Sequence, residues 1–536
     1  MQAPKYNRWI LRGAALAVLM AAAIPSTHAG EVTLQMKGGD FTVKGDIKAF
    51  DGVKYQIESK SFGSMSLDAA RFDCVAGDCP KSGTTVTAAP APVRGGNLGT
   101  ATWMGGSAQG TAVMPKLIQA YAASIGATVT RSVGADPKNL EFKLTDAAGQ
   151  EIGQFIAARQ GVPAGFAGLE TKTVDTVWSA RPISAAELQR AEAAGLGNLR
   201  APGSEHIYAQ SALMIIVAPG NPAVSMSLDN IAKIYSGQIK DWSELGLPPG
   251  KINVYAMVPT AGPWGVFEDL VLKPRNLTAM PDIIRIDSAT DWSDKVTQDP
   301  LGIGITAIGL VRNAKALNIE ASCGLITKPS SFLAKTDEYP LSSRYQLYSV
   351  GTPRGTLARE LLAFAMSPRM QPVLKEANFL DQSPEGLDFQ SQTTRIAYAL
   401  NAAGPDFDLN LMRALISEFK PANRLTTTFR FDTANFSLDN KSLADVTRLR
   451  SLLETDEYRG KTVILAGFAD GIGRFDSNML LSQKRAATVL AAVQRAGSRP
   501  IQANVVTRAY SQLAPVACND TPEARSFNRR VEVWVK

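Results

Sequence analysis

Gly467-Phe-Ala-Asp470-Gly-Ile-Gly473 follows the short apolar run Val463-Ile464-Leu465, and Asn478-Met-Leu-Leu-Ser482-Gln-Lys-Arg485-Ala486 comes soon after it. The apolar run reads as a buried strand, which puts Asp470 in the glycine-rich loop at its end. Ala486, Val489, Leu490 and Val493 recur at helical spacing and predict a helix with Ser482 near its start and Arg485 in its first turn. The positive end of a helix macrodipole disfavours a cation there, so the charge of Arg485 is expected to serve something other than the helix. One carboxylate and one guanidinium placed in this way suit a small zwitterion that bridges them. A third stretch, Asn528-Arg-Arg-Val-Glu532, brings more charge to the C-terminal end.

Together with the entry motif Phe429-Arg-Phe431-Asp432-Thr-Ala434, these residues resemble the C-terminal domain of the OmpA family over 426–536. The resemblance implies peptidoglycan as partner, recognised at the diaminopimelate residue of its stem peptide. It implies that Asp470 pairs with the ammonium group of that residue and Arg485 with its carboxylate. Asn478, Ser482 and Arg529 match positions that complete the pocket. Two departures stand out: Phe468-Ala469 replace the usual His-Thr, and a glycine-rich turn is missing near Ala509-Tyr510.

The other end of the chain reads as an export signal, 1–29. Lys5, Arg8 and Arg12 precede the apolar run Ala14 to Ile24, and small residues follow up to Ala29. Its loss leaves 53 basic residues against 49 acidic ones, a net charge of +4. Lys and Arg form no stripe interleaved with aromatics, so nucleic acid is not expected as a partner. Only His206 remains in the mature chain, which rules out a multi-histidine metal site and leaves one residue around which a Ser-His-Asp hydrolase could be built. Four cysteines in an exported chain point to disulfides. Cys74 and Cys79 bracket a tight loop and are expected to pair. Cys323 and Cys518 either bridge two domains or remain thiols.

Residues 30–80 alternate strand and turn signals, as in Val32-Thr-Leu34, Phe41-Thr-Val43 and Lys54-Tyr-Gln-Ile57, and predict a small β module. A linker rich in Pro, Ala and Thr follows at 81–97. In 98–383, strands alternate with helices, beginning with Ala101-Thr-Trp-Met, the loop Gly105-Gly-Ser-Ala-Gln-Gly110-Thr and a helix from Val113. A strand, small-residue loop and helix in this order present backbone N–H groups to an anion. Ser179-Ala-Arg181-Pro-Ile183, Ile231-Ala-Lys-Ile-Tyr-Ser-Gly237 and Asp299-Pro-Leu-Gly302-Ile-Gly304 follow in one order.

That set resembles the PstS-like phosphate-binding proteins of the type II periplasmic binding protein class. The resemblance implies two lobes joined by a hinge, and phosphate or another small anion held by Ser107, Gly110, Thr111, Ser179 and Arg181. The sequence departs from the family at Met257, Ala261, Pro263 and Gly265, where an Arg, a Ser-Gly-Thr loop and an Asp supply ligand contacts. Residues 384–425, with a helical stretch from Leu409 to Phe419, read as a connector to the C-terminal domain.

The fold class expected is therefore α/β multidomain: a small N-terminal β module, a two-lobed type II periplasmic-binding-protein domain and a C-terminal OmpA-like α/β domain. The chain reads as a binding protein and not an enzyme, with no cofactor and no metal. It is expected in the periplasm, associated with peptidoglycan near the outer membrane, as an envelope sensor, adaptor or organiser with envelope protein partners. The alternative is a phosphate or oxyanion receptor of a transport system.

Overall fold

The computed structural model describes residues 31–37, 42–50, 54–59, 63–69, 72–77, 79 and 96–536, apart from 260, 287–290, 405–406, 432–436 and 498. The expected export signal, linker residues 81–95 and Asp432-Thr-Ala434 of the entry motif lie outside the described residues. The chain divides into two units, Met1–Ala88 and Ala89–Lys536.

In the first unit, the strands Glu31–Met36, Thr42–Phe50, Lys54–Ser59, Gly63–Asp68 and Phe72–Ala76 form one antiparallel sheet. Lys54–Ser59 alternates exposed and buried residues, the period of a strand packed on one face. Val32, Leu34, Val43 and Ile57 form the buried side, and the rings of Phe50 and Tyr55 stack 4.4 Å apart. Cys74 and Cys79 are joined by a disulfide. Gly77 lies between them at φ +89°, where an added Cβ would stand 2.1 Å from the Glu31 carbonyl oxygen.

The second unit is organised by one long strand, Glu205–Val217. Its first half pairs antiparallel with Ser342–Tyr348 and its second half with Gly302–Ala307, within a sheet of 11 strands. Ser342–Tyr348 pairs onward with Thr176–Ser179, which runs parallel to Thr100–Gly105. The two halves of Glu205–Val217 thus belong to two lobes. Trp103, Leu117, Phe142, Phe155 and Leu361 centre one core, and Ile216, Ile231, Trp242, Phe267 and Ile303 centre the other. Met114–Ser124 shows why its sequence is helical, since Met114, Leu117, Ile118 and Tyr121 form its buried stripe. Leu213 to Val217 are buried throughout, as a strand covered on both faces must be.

The C-terminal sheet runs Gly386–Asp388, Asn423–Arg430, Arg530–Val535, Thr462–Gly467, Asn504–Ala509 in spatial order. Alternate residues of Thr462–Gly467 face opposite ways. Val463 and Leu465 pack with Leu449 and Val489 of the helices Asn440–Leu453 and Phe475–Arg495. Ile464 and Ala466 pack with Ile396 and Met412 of Thr393–Asn401 and Leu409–Phe419. Phe419 stacks on Trp534 with ring centroids 4.2 Å apart. The stretch 384–425, expected as a connector, thus supplies an edge strand and the helical cover of one face.

This sheet is joined firmly to the lobes. Cys323 and Cys518 form a disulfide across the junction. Arg344 pairs with Asp337 beside it and with Asp439 of the C-terminal part, both at 2.8 Å. Arg424 donates to Glu338, and Asn440 donates to Glu205 at 2.8 Å. Glu532 is fully buried and accepts from Arg395 at 2.6 Å, Arg530 at 2.7 Å and Trp534 at 2.9 Å. Burial alone would raise the Glu532 carboxyl, and Arg395, Arg424 and Arg530 together hold it well below the ordinary range.

Candidate functional site

The first site is built where Thr462–Gly467 ends against the helix Phe475–Arg495. Gly467 allows the approach: an added Cβ would lie 2.0 Å from the Ser482 carbonyl oxygen. The chain then leaves through Phe468 and Ala469 into the loop that carries Asp470. Asn478 fastens this loop, donating to the carbonyls of Asp470 at 3.0 Å and Ile472 at 3.1 Å and to Gln512 at 2.7 Å. Ser482 donates to the Met479 carbonyl at 2.8 Å and accepts from the Ser511 N–H at 3.3 Å.

The helix begins at Phe475, earlier than its apolar spacing predicted, so Arg485 lies well inside it and not in its first turn. The macrodipole argument therefore does not apply to Arg485. Asn478, Ser482 and Arg485 are instead successive members of the buried face, continued by Val489 and Val493.

Arg485 is 1% exposed. Its Nη1 donates to the Phe468 carbonyl at 3.4 Å, its Nε has no partner, and its guanidinium lies 5.6 Å from the Phe431 ring. Burial and the neighbouring Arg529 push its pKa down to about 10, with Asp470 opposing them. No carboxylate lies within ion-pair distance of Arg485 among the described residues. Asp470 is held by Arg529 instead, Nη1 to Oδ2 at 2.8 Å, while its Oδ1 accepts from the Ile472 N–H at 3.1 Å. Arg529 also donates to the Phe431 carbonyl at 3.2 Å. All five residues expected at this site are thus gathered around one loop. The tie between Asp470 and Arg529 was not foreseen.

The second candidate site lies in the first lobe along the C-terminal edge of the sheet, where neighbouring interior strands end. Thr100–Gly105 leads into the short helix Ser107–Ala112, and Thr176–Ser179 runs beside it. Trp178 ties the two, donating from Nε1 to the Gly106 carbonyl at 2.8 Å. This edge carries Ser107, Gly110, Thr111, Ser179 and Arg181. Ser179 closes its own turn, donating to the Arg181 carbonyl at 2.6 Å.

Arg181 turns away to Glu187, with Nη1 and Nη2 at 2.8 and 2.7 Å from its carboxylate oxygens. Burial would raise Glu187, but Arg181 and the capping Ser184 hold it at about 2. Arg159 was not singled out from the sequence. It donates to Thr111 Oγ1 at 3.3 Å, and its backbone carbonyl accepts from Ser107 Oγ at 3.5 Å. Its other bonds go to the carbonyls of Lys138 and Pro137, and it pairs with no carboxylate among the described residues. The signal for it was the end of Glu151–Ala158, which runs parallel beside Thr100–Gly105 and delivers Arg159 to the same edge.

Comparison with known proteins agrees with this architecture. The model of the PBP superfamily domain matches residues 94–369, and that of the OmpA family matches 428–529. The phosphate-binding protein PstS of Borreliella burgdorferi is 23% identical over 41% of this chain and 77% of its own length. Outer membrane protein A of Bordetella avium is 34% identical over 20% of this chain, and the match covers 53% of that protein. A solved ABC-type phosphate transport receptor from Vibrio cholerae is 19% identical, covering 52% of this chain and 99% of that one, with a TM-score of 0.39. This chain belongs to the PBP superfamily and carries an OmpA-family domain at its C-terminal end.

Proposed function

We propose that this is an exported binding protein held at the cell wall by its C-terminal domain, where it serves as an envelope sensor, adaptor or organiser. The observation that carries this reading is Arg485, a buried guanidinium with one long hydrogen bond and no carboxylate partner among the described residues. A buried charge without a counter-ion is costly, and a ligand carboxylate offsets that cost. Diaminopimelate in a stem peptide offers such a carboxylate, and beside it an ammonium group. Asp470 uses one oxygen for Arg529 and the other for Ile472, leaving lone pairs to accept from that ammonium. The full chain should co-sediment with diaminopimelate-type peptidoglycan, and Arg485→Met and Asp470→Asn should each lose that property. Retention by both variants would end the reading.

A second reading is favoured by Arg159. With Arg181 committed to Glu187, Arg159 supplies the guanidinium beside Ser107 and Thr111 that an oxyanion requires. Calorimetric titration of inorganic phosphate into the full chain should then give a saturable heat that Arg159→Met abolishes. A heat unchanged in that variant would dismiss Arg159 as the anchor.

A further inference from the structure

A cavity of 680 Å³ lies where both lobes meet the C-terminal domain. Pro182 from the first lobe, Val266 and Leu270 from the second and Phe527 from the C-terminal domain give it apolar walls. A separate binding protein or a separate wall-binding domain would lack one of these walls. The volume is in the range of small-molecule sites.

Three residues on its wall carry buried polar atoms with no partner: the Tyr339 hydroxyl, Ser342 Oγ and Arg430 Nε. Each can donate, and unpaired buried donors in a folded protein call for an explanation. Arg430 is also the wall's uncompensated cation. Arg344 has Asp337 and Asp439, and Arg181 has Glu187. Arg430 instead donates to the carbonyls of Phe527 and Thr336, with the Phe527 ring 5.0 Å from its guanidinium. It forms no ion pair with a carboxylate among the described residues. Burial disfavours its charge, with Asp337 and Glu338 only partly opposing that.

We propose that this junction cavity binds an amphiphilic organic anion, with its apolar body against Leu270, Val266 and Phe527 and its anionic head at Arg430. Tyr339 and Ser342 donate to the oxygens of that head. The cavity borders both earlier sites, through Arg181 on one side and Phe431 on the other, but Thr111, Arg159, Asp470 and Arg485 do not line it, so the proposal rests on none of those four residues.

The probe is 1-anilinonaphthalene-8-sulfonate, titrated by fluorescence into the full chain, with the neutral N-phenyl-1-naphthylamine as its uncharged counterpart. The sulfonate should show one saturable site. Leu270→Trp, which fills the cavity, and Arg430→Met, which removes the charge, should each weaken it about tenfold or more, as loss of a charge-assisted contact does. Tyr339→Phe should weaken binding while leaving the melting temperature of the free protein unchanged or raised, because it deletes an unsatisfied hydroxyl. Sulfonate binding that Leu270→Trp leaves intact would place the dye elsewhere and overturn the site. Should Arg430→Met melt early, the comparison of the two dyes in the unaltered protein still decides: equal affinity for the neutral one would overturn the anionic class.

Discussion

Arg181 and Arg159 lie at the C-terminal ends of parallel interior strands and differ in what holds them. Arg181 is answered by Glu187, whose carboxyl falls from 4.5 to about 2 in the fold. A depressed acid stabilises the folded state fully above its unfolded pKa and loses that contribution as the pH falls through its folded one. The contribution of Glu187 is therefore complete above about pH 4.5 and is lost toward pH 2. Melting temperature measured across that window should fall more steeply for the unaltered chain than for Glu187→Gln. Parallel curves would show that Glu187 is not the group responsible. Ser184 and Glu187 form a capping box at the start of the helix Ala185–Ala193. The competition it creates for Arg181 was not legible in the sequence, because it depends on where the side chain turns after its strand.

At the scale of elements, the contact of Thr462–Gly467 with the long helix depends on the missing side chain of Gly467. Gly467→Ala would force the strand and the Ser482 backbone apart, costing about 3 kcal/mol by overpacking. Urea denaturation should detect that loss, together with weaker wall binding; a cost below roughly 1 kcal/mol, within the usual range of volume-conserving changes, would contradict the close approach.

The strand, its loop and the placing of Asp470 and Arg485 around that loop were legible from the apolar run, the glycines and the family resemblance. The start of the helix was not, because its first buried positions, Asn478 and Ser482, are polar and face the loop. Hydrophobic periodicity begins only where the helix reaches the core at Ala486 and Val489. The edge strand Gly386–Asp388 was hidden for a different reason: three residues carry no period.

At the scale of the molecule, the lobes and the C-terminal domain are crosslinked by Cys323–Cys518, a sequence separation of 195 residues. Closing so long a loop in the unfolded chain accounts for about 5 kcal/mol of stabilisation in the chain-entropy picture. The double variant Cys323→Ser/Cys518→Ser should lower the denaturation midpoint of the oxidised protein, and an unchanged midpoint would dismiss the bridge as a stabilising element. The sequence left this pairing open because nothing in spacing alone brings residues so distant together.

The buried ions at that junction bear on how such a protein can be inherited. Glu338 comes with the lobes, while Arg424, Arg395 and Glu532 come with the C-terminal part, and all are enclosed together. A chain severed near 384 would leave each fragment with charges whose partners went with the other. An exchange of the C-terminal domain for a relative's would succeed only if the newcomer brought a guanidinium for Glu338. Different relatives match the two parts, yet in this chain the shared buried ions make them one unit to exchange.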